Sequence, residues 1–329
     1  MAFSRHLAAT LAWVVLLSLP GRPTRADGVS AKDARGKVVS LARPAGKVVC
    51  LIESALSGLF MLGAGPAVAG IPAQVYGDEL FPRYARLDPR IANRSLPAPG
   101  NWDFVGLESV LVLDPDLVIL WSEQRESIRA LEERGIPVFG VFVSGVAGLR
   151  EEILALGTLT GKGGRAHELL AFVDSEVARV QLRTVSQPRV SAYFAWGGGM
   201  LETSCGGSMV DDLLTLAGGR NVCGGLRAEH RQINVERLML WDPAVIFLWP
   251  DPGRKASQVA TDRRFAGLSA VGGNALFELP DPFLADQWTL KYLHAVKAMA
   301  KAMHPAQFRD LDLGTEAEVM LRALYGGGF

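Results

Sequence analysis

The sequence has few of the residues that build metal centres or catalytic sites. It contains three cysteines and five histidines, and none of them stands at a zinc-binding or Cys-x-x-Cys spacing. It also lacks the G-x-S-x-G turn of hydrolases, the H-E-x-x-H helix of metalloproteases and the phosphate-binding G-x-x-x-x-G-K-[ST] loop. We therefore expect no metal centre, no cofactor of the protein's own and no enzyme activity.

An excess of positive charge is absent as well. Lysine plus arginine and aspartate plus glutamate each number 34, and three of the arginines lie within residues 1–26. Taking those three from the 34 leaves 31 basic against 34 acidic residues in the remainder, a net charge of −3. Because nucleic acids are bound by basic faces, we do not expect a nucleic acid as partner. A small or neutral ligand stays open.

The only apolar run that resembles a membrane-directed segment stands at the start of the chain. Residues 1–26 combine a basic start at Arg5, an apolar stretch over residues 7–19 and a small-residue site that ends at Ala26. This pattern is typical of a cleaved signal peptide, and the stretch is too short to span a bilayer comfortably. We expect a mature chain that begins at Asp27 and does not insert into the membrane. No cysteine follows the stretch, so lipid attachment is not expected; the alternative is an uncleaved anchor.

The three cysteines have different expected fates. Cys50 lies in the apolar run VVCLI and is predicted to be a buried free thiol. Cys205 and Cys223 could pair in an oxidising compartment. A disulfide needs a short Cα separation, which the sequence does not supply, so this pairing stays open.

What the sequence does contain is a segment that occurs twice, 128 residues apart. Residues 105–121 read VGLESVLVLDPDLVILW, and residues 233–249 read INVERLMLWDPAVIFLW. Each copy predicts a short helix with a glutamate in its first turn, a stop at Asp-Pro with the aspartate in extended geometry, and a buried strand that ends in tryptophan. The matched anchors are Glu108 and Glu236, Asp114 and Asp242, Pro115 and Pro243, Leu120 and Leu248, and Trp121 and Trp249.

The duplication predicts an α/β protein with two Rossmann-like lobes of parallel-rich sheet. We place the first lobe at residues 27–165 and the second at residues 188–329. Between them, residues 166–187 form the longest uninterrupted helical pattern, which predicts a linker helix and only modest hinge motion. The stretch at residues 72–104, which contains five prolines, is predicted to be rich in loop.

Tryptophans recur where the predicted strands end. Trp121, Trp196 and Trp249 each close a strand, and ligands of open α/β sheets bind outside the carboxyl ends of strands. We therefore expect these three side chains to form the apolar walls of a cleft between the lobes. The alternative is that they cap the sheets as interior residues. The flanking loops are expected to add Tyr76, Trp102 and Trp288.

The two matched glutamates have a second interpretation besides their own helices. An acid in the first turn stabilises its helix, so Glu108 and Glu236 could serve only that purpose. One glutamate at the same place in each lobe also suits a two-fold symmetric partner with basic pockets.

With the leader, the duplication, the linker helix and the motifs GLESVLVLDPDLVIL and INVERLMLWDPAVIFL, the chain resembles the periplasmic binding proteins for ferric siderophores and cobalamin, which serve ABC importers. The resemblance covers nearly all of the mature chain. It implies two lobes bridged by a long helix, a shallow cleft, and a monomer free in the periplasm. It also implies that Glu108 and Glu236 dock on arginine pockets of the permease dimer, which works with ATPase subunits.

The ligand is expected to be a metal chelate. Some relatives that bind ferric catecholates place a histidine shortly before the second docking glutamate, and His230 stands there with Arg227 and Arg231 nearby. Arginines suit an anionic iron(III) chelate, so we expect a ferric siderophore, with His230 as the one candidate for direct contact with metal. A solvated basic loop is the alternative. Cobalamin, haem and nickel or cobalt chelates remain open as ligands, and an enzyme on the same scaffold is the less favoured class.

Overall fold

The computed structural model describes residues 28–327 except 252, 254 and 280. The predicted signal peptide therefore lies outside the described residues. The described chain begins with a hairpin in which strand β1 (Val29–Lys32) pairs antiparallel with strand β2 (Val38–Leu41).

The first lobe is a four-stranded parallel sheet with helices on both faces. Its strands are β3 (Val48–Cys50), β4 (Val68–Gly70), β5 (Leu117–Trp121) and β6 (Val138–Val141), in the order β4-β3-β5-β6. Its helices are α1 (Glu53–Met61), α2 (Phe81–Leu87), α3 (Pro89–Ala92), α4 (Leu107–Val112), α5 (Arg125–Glu132) and α6 (Gly145–Leu159). Helices α2 and α3 lie where the sequence predicted loop, because helical turns fit between the prolines at their first positions.

A single long helix, α7 (Gly163–Thr184), connects the lobes. It begins earlier than the predicted residues 166–187, with Gly163 and Gly164 in its first turn, because glycine is costly mainly in the middle of a helix. It also ends earlier, which leaves a short non-helical connection to the next strand.

The second lobe repeats the same architecture. Its strands are β7 (Val190–Ala195), β8 (Glu202–Thr203), β9 (Gly219–Asn221), β10 (Arg231–Gln232), β11 (Val245–Leu248) and β12 (Leu276–Glu278). Its helices are α8 (Met209–Leu216), α9 (Val235–Trp241), α10 (Ala256–Thr261), α11 (Ser269–Gly272), α12 (Tyr292–Met303) and α13 (Leu313–Tyr325). Strands β8 and β10 form a small antiparallel ribbon beside the main sheet.

Strand order confirms the duplication. The main sheet of the second lobe is parallel and runs β9-β7-β11-β12, which matches β4-β3-β5-β6 strand for strand. The repeated segment forms the same pair in each lobe, α4 followed by β5 and α9 followed by β11.

The core is built from strands that are buried on both faces. One face of each sheet shares a single apolar cluster with α1, α6, α7, α8 and α12, which runs through both lobes. The opposite faces form separate clusters, under α4 and α5 in the first lobe and under α9 to α11 in the second. Because the linker helix belongs to the shared cluster, the lobes are parts of one packed unit.

The aspartates of the repeated motif do not have the extended geometry that the sequence predicted. Asp114 has φ 46° and Asp242 has φ 39°, both in the left-handed region. A left-handed residue is a common helix end, and aspartate tolerates it better than most side chains do. The Asp242 carboxylate also accepts hydrogen bonds from the amide and hydroxyl of Ser269 at 2.7 Å. Proline disfavours right-handed helical geometry in the residue that precedes it. In both copies the aspartate adopts left-handed geometry instead of the extended geometry that was expected.

The linker helix is held by charges as well as by apolar packing. Lys297 of α12 donates to Glu176 of α7 at 2.6 Å, with both side chains almost completely buried, and it also contacts Glu316 of α13. Near the start of α7, Arg165 donates to the carbonyl oxygen of Ala323 at 2.6 Å. These contacts support the expectation that the linker is stiff. Within the described part of the chain, no helix combines the length and apolar character that a membrane crossing requires.

Candidate functional site

Three tryptophans come together at the carboxyl edge of the second sheet. Trp196 follows β7, Trp249 follows β11, and Trp288 lies in the connection from β12 to α12. The ring centroids of Trp196 and Trp288 are 5.5 Å apart and nearly parallel, and Trp249 lies 5.2 Å from Trp196. We call these three residues the tryptophan cluster. Trp196 is buried, whereas Trp249 and Trp288 are partly exposed.

The loop that carries Arg227 and His230 is fixed to the tryptophan cluster. The imidazole of His230 lies 5.4 Å from the ring of Trp196. The indole nitrogen of Trp196 donates to the buried hydroxyl of Ser204 at 2.7 Å, and that hydroxyl donates to the carbonyl oxygen of Glu229. Arg227 and His230 therefore stand on a loop that the cluster helps to position.

The disulfide that the sequence left open is present between Cys205 and Cys223. It closes the base of the same loop, because the Cys205 amide donates to the carbonyl oxygen of Ala228 at 2.8 Å. Cys50 is the buried free thiol that the sequence predicted, and burial raises its pKa far above the ordinary range. Arg227 and His230 are both exposed, and the His230 Nδ1 lies 3.7 Å from a carboxylate oxygen of Glu202.

The candidates of the first lobe are not gathered in the same way. Trp121 ends β5 and packs on Phe142 with ring centroids 5.3 Å apart. Trp102 is 58% exposed on the loop before α4. The hydroxyl of Tyr76 donates to the carbonyl oxygen of Leu96 at 2.8 Å. Its ring lies under the guanidinium of Arg94, 5.1 Å from the centroid, so most of the polar capacity of Tyr76 is already used within its own lobe.

A polar cluster that sequence reasoning missed joins the two lobes. Glu53 begins α1 directly after β3 and accepts a hydrogen bond from the hydroxyl of Tyr84. From the second lobe, Lys291 lies 3.6 Å from an Asp286 carboxylate oxygen and 3.6 Å from the centre of the Phe283 ring. We call Glu53, Tyr84, Asp286 and Lys291 the interlobe cluster. Asp286 of this cluster precedes Trp288 by two positions in the sequence. The tryptophan cluster therefore borders the junction of the lobes.

Burial and neighbouring charges change the proton affinity of the interlobe cluster. Burial and the nearby Asp286 carboxylate raise the pKa of Glu53 to about 7, against the opposing effects of Lys291 and Tyr84. Burial disfavours the charged form of Lys291, but its interactions with Tyr325, Asp286 and Glu53 are stronger and raise its pKa. An ammonium between two carboxyl groups therefore remains charged at neutral pH.

The connection between β12 and α12 also holds a buried amide with no partner. Gln287 is completely buried, and neither its amide nitrogen nor its amide oxygen has a hydrogen-bond partner among the described residues. Buried polar groups usually bond to protein, water or ligand, so this amide indicates a place for a polar guest. In the sequence, these residues stand out only by the change from apolar to polar residues in the run FLADQWTLK. A surface loop would show the same change, so the sequence alone does not identify them as buried.

The matched glutamates occupy equivalent and exposed positions. Glu108 stands in the first turn of α4 and Glu236 in the first turn of α9. Both are exposed, and neither forms an ion pair within the described ranges. No cluster of three or more histidine, cysteine, aspartate or glutamate side chains among those residues could hold a metal ion.

A family profile and individual relatives match most of this chain. A family profile described as "Periplasmic binding protein" matches residues 48–283. MolA, a molybdate-binding protein of Haemophilus influenzae, is 25% identical over 309 residues, which cover 85% of this chain and 86% of that protein. A vitamin B12-binding protein of Yersinia pseudotuberculosis is 24% identical over 208 residues, or 62% of this chain and 70% of that protein.

Solved structures show the same two-lobe fold. The molybdate-bound structure of MolA superposes with a TM-score of 0.77 at 22% identity, covering 91% of this chain and 98% of that chain. CeuE of Helicobacter pylori, in a Ni-His complex, superposes with a TM-score of 0.74 at 17% identity, covering 91% of this chain and 96% of that chain. The predicted fold class, two lobes of parallel-rich sheet joined by a long helix, is confirmed.

Proposed function

This chain belongs to the periplasmic binding protein family, and from that premise we propose that it captures a metal chelate, most readily a ferric siderophore, for an inner-membrane ABC importer. The expected family resemblance is thereby confirmed. Proteins of this family bind the ligands that they carry and use no cofactor, and they work with permease and ATPase components in small-molecule import.

The observation that carries the proposal is the tryptophan cluster with its attached basic loop. Trp249 and Trp288 offer partly exposed aromatic faces around the buried Trp196. His230 is exposed with its ring 5.4 Å from that of Trp196, and Arg227 is exposed three residues earlier on the same loop. A chelate that is apolar at its periphery and anionic at its metal centre would use both kinds of contact. An aromatic surface without nearby cations would favour a neutral ligand instead.

The remaining candidate residues are proposed for less central roles. Trp121 is proposed for the opposite wall, with Trp102 and Tyr76 at the rim of the first lobe. Glu108 and Glu236 are proposed to dock the carrier on the permease dimer without touching the ligand. We further propose that the mature protein is a monomer, free in the periplasm and not attached to lipid, and that it catalyses no reaction.

A second candidate ligand is a small oxyanion. The buried amide of Gln287 could donate to an oxyanion, and Lys291 supplies a positive charge four residues further along the same connection. MolA, whose alignment covers 85% of this chain, is named for binding molybdate. This alternative places the ligand at the junction of the lobes and leaves the tryptophan faces in contact with solvent.

Tryptophan fluorescence during ligand titration tests both candidates. The ligands are a ferric catecholate, a ferric hydroxamate, haem, cobalamin, nickel-histidine and molybdate. The ferric catecholate should quench the parent protein, and W288A should weaken that binding because it removes an aromatic face. R227A should weaken an anionic chelate by about 1.5–3 kcal/mol, the range for hydrogen bonds to charged groups, and a neutral ligand much less.

The matched control is R309A, which removes another exposed arginine, distant in sequence from the loop. If R227A and H230A bind every ligand like the parent, the basic loop is not part of the site and the catecholate preference fails. Molybdate binding that Q287L abolishes and W288A leaves unchanged would establish the oxyanion candidate instead. Turnover of any of these compounds by the purified protein would contradict the assignment as a carrier without enzyme activity.

A further inference from the structure

Each lobe exposes a large apolar side chain one helical turn after its proposed docking glutamate. Val112 ends α4 and is 84% exposed, and Leu240 of α9 is 75% exposed. The two positions are equivalent, since they are separated by the same 128 residues that separate Glu108 and Glu236. In each lobe the glutamate and the apolar residue are four positions apart and therefore lie on the same helix face.

Isolated exposed apolar residues are common and need no explanation. Here the same exposed position is apolar in both copies, although the neighbouring exposed position differs, with Ser109 in one copy and Arg237 in the other. The inward positions of the same helices, Val110 and Leu238, are completely buried, so core packing is satisfied without the outer pair. Packing within the described fold therefore does not account for Val112 and Leu240.

We propose that the docking surface consists of two matched pairs, Glu108 with Val112 and Glu236 with Leu240. The partner is the permease dimer of the proposed function, on which this inference rests. Each permease subunit would present a basic side chain for the carboxylate and, about 6 Å away along the helix axis, an apolar recess for the second residue. Two equivalent pairs on one chain fit a partner with two-fold symmetry, because such a partner presents the same pocket twice.

The two members of a pair have separable effects on binding. The carboxylates act through charge, which increases the association rate and weakens as salt rises. The apolar side chains act through burial, which salt screening does not reduce. Burying one such side chain is worth about a tenfold change in Kd, and two distant sites should combine to about a hundredfold.

The experiment first identifies the importer and then measures docking. A photo-crosslinking amino acid is placed at position 112 or 240 of the full chain, which is added to inner-membrane vesicles. The crosslinked protein, identified by mass spectrometry, should be an ABC permease subunit. That permease–ATPase complex is purified in nanodiscs, and the Kd of the carrier is measured at 50 and 300 mM NaCl, chosen to span the screening range.

V112A and L240A should each raise the Kd about tenfold at both salt concentrations, and the double variant about a hundredfold. E108A and E236A should also weaken docking, and they should reduce its dependence on salt. L182A is the control, because Leu182 is 76% exposed on the linker helix, which carries neither pair. Melting temperatures should be unchanged, since all of these positions are exposed.

Two results would overturn the proposal. If V112A and L240A dock like the parent while E108A and E236A are weakened, the apolar residues play no part and the transport function stands. If no ABC permease crosslinks from either position, the proposed function itself fails and this inference with it.

Discussion

Replacing Lys297 by methionine should destabilise the protein by leaving a buried carboxylate without its main partner. Lys297 Nζ lies 2.6 Å from a Glu176 oxygen, with 5% and 8% of the two side chains exposed. Removing one partner of a buried ion pair costs about 3–5 kcal/mol, because the remaining charge is not solvated. Methionine preserves most of the apolar packing, so the loss would come mainly from charge.

A second partner of Glu176 reduces the loss of stability that we expect. Arg179 still contacts the other Glu176 oxygen at 2.5 Å, although its own side chain is largely exposed. We therefore expect K297M to reduce the free energy of unfolding by about 2–4 kcal/mol, below the full range for an unpartnered buried charge. E176Q in the same background should restore part of the loss, because a neutral amide is less costly to bury than a carboxylate.

Urea denaturation followed by circular dichroism measures this free energy. The control is K255M, since the ion pair of Lys255 with Glu278 at 3.4 Å is largely exposed and its loss should change stability by less than about 1 kcal/mol. A K297M loss no larger than that of K255M would refute the reasoning. It would mean that the buried pair contributes no more than an exposed pair does.

Three further predictions concern the lobe junction and the basic loop. The melting temperature of the parent should fall as pH rises from 5 to 7, because folded Glu53, with its pKa raised to about 7, keeps a proton that the unfolded chain has released; E53Q should flatten this slope, and an unchanged slope would exclude Glu53 as its source. Removing the disulfide with C205A/C223A should cost about 3 kcal/mol in urea denaturation, given the 18-residue separation; a loss below 1 kcal/mol would contradict this. In G206A a Cβ would meet the Gly224 carbonyl oxygen at 2.0 Å; the variant should unfold at lower temperature and bind ligand less well, whereas parent-like binding would show that the loop tolerates displacement.

The sequence predicts the fold well because its strongest signal is long and repeated. The copies at residues 105–121 and 233–249 each show a short helix pattern, an Asp-Pro pair that ends it and an apolar run that predicts a buried strand. Each of these signals depends on local chemistry. What they could not predict is the left-handed geometry of Asp114 and Asp242, since proline only excludes one region and leaves two others open. The short helices α2 and α3 were missed because prolines at helix starts resemble prolines in loops.

The site was less predictable because it is assembled from distant segments. Trp196, Trp249 and Trp288 meet as a cluster, and the first two follow from their places at strand ends. Glu53 and Lys291 are separated by 238 positions, and nothing in either local sequence indicates that they face each other. Pairing between lobes depends on how two sheets are oriented, and that orientation is set by the whole core.

The linker helix has a consequence for how much of this protein a cell should make. Helix α7 is packed between α6, α12 and α13 and is fixed by Lys297, so we expect the two lobes to keep nearly the same separation with or without ligand. The proposed docking residues would then present the same spacing in empty and loaded molecules. Empty carriers would occupy the importer as competitive inhibitors. Uptake should therefore be highest at an intermediate abundance of the carrier and decline when it greatly exceeds its ligand.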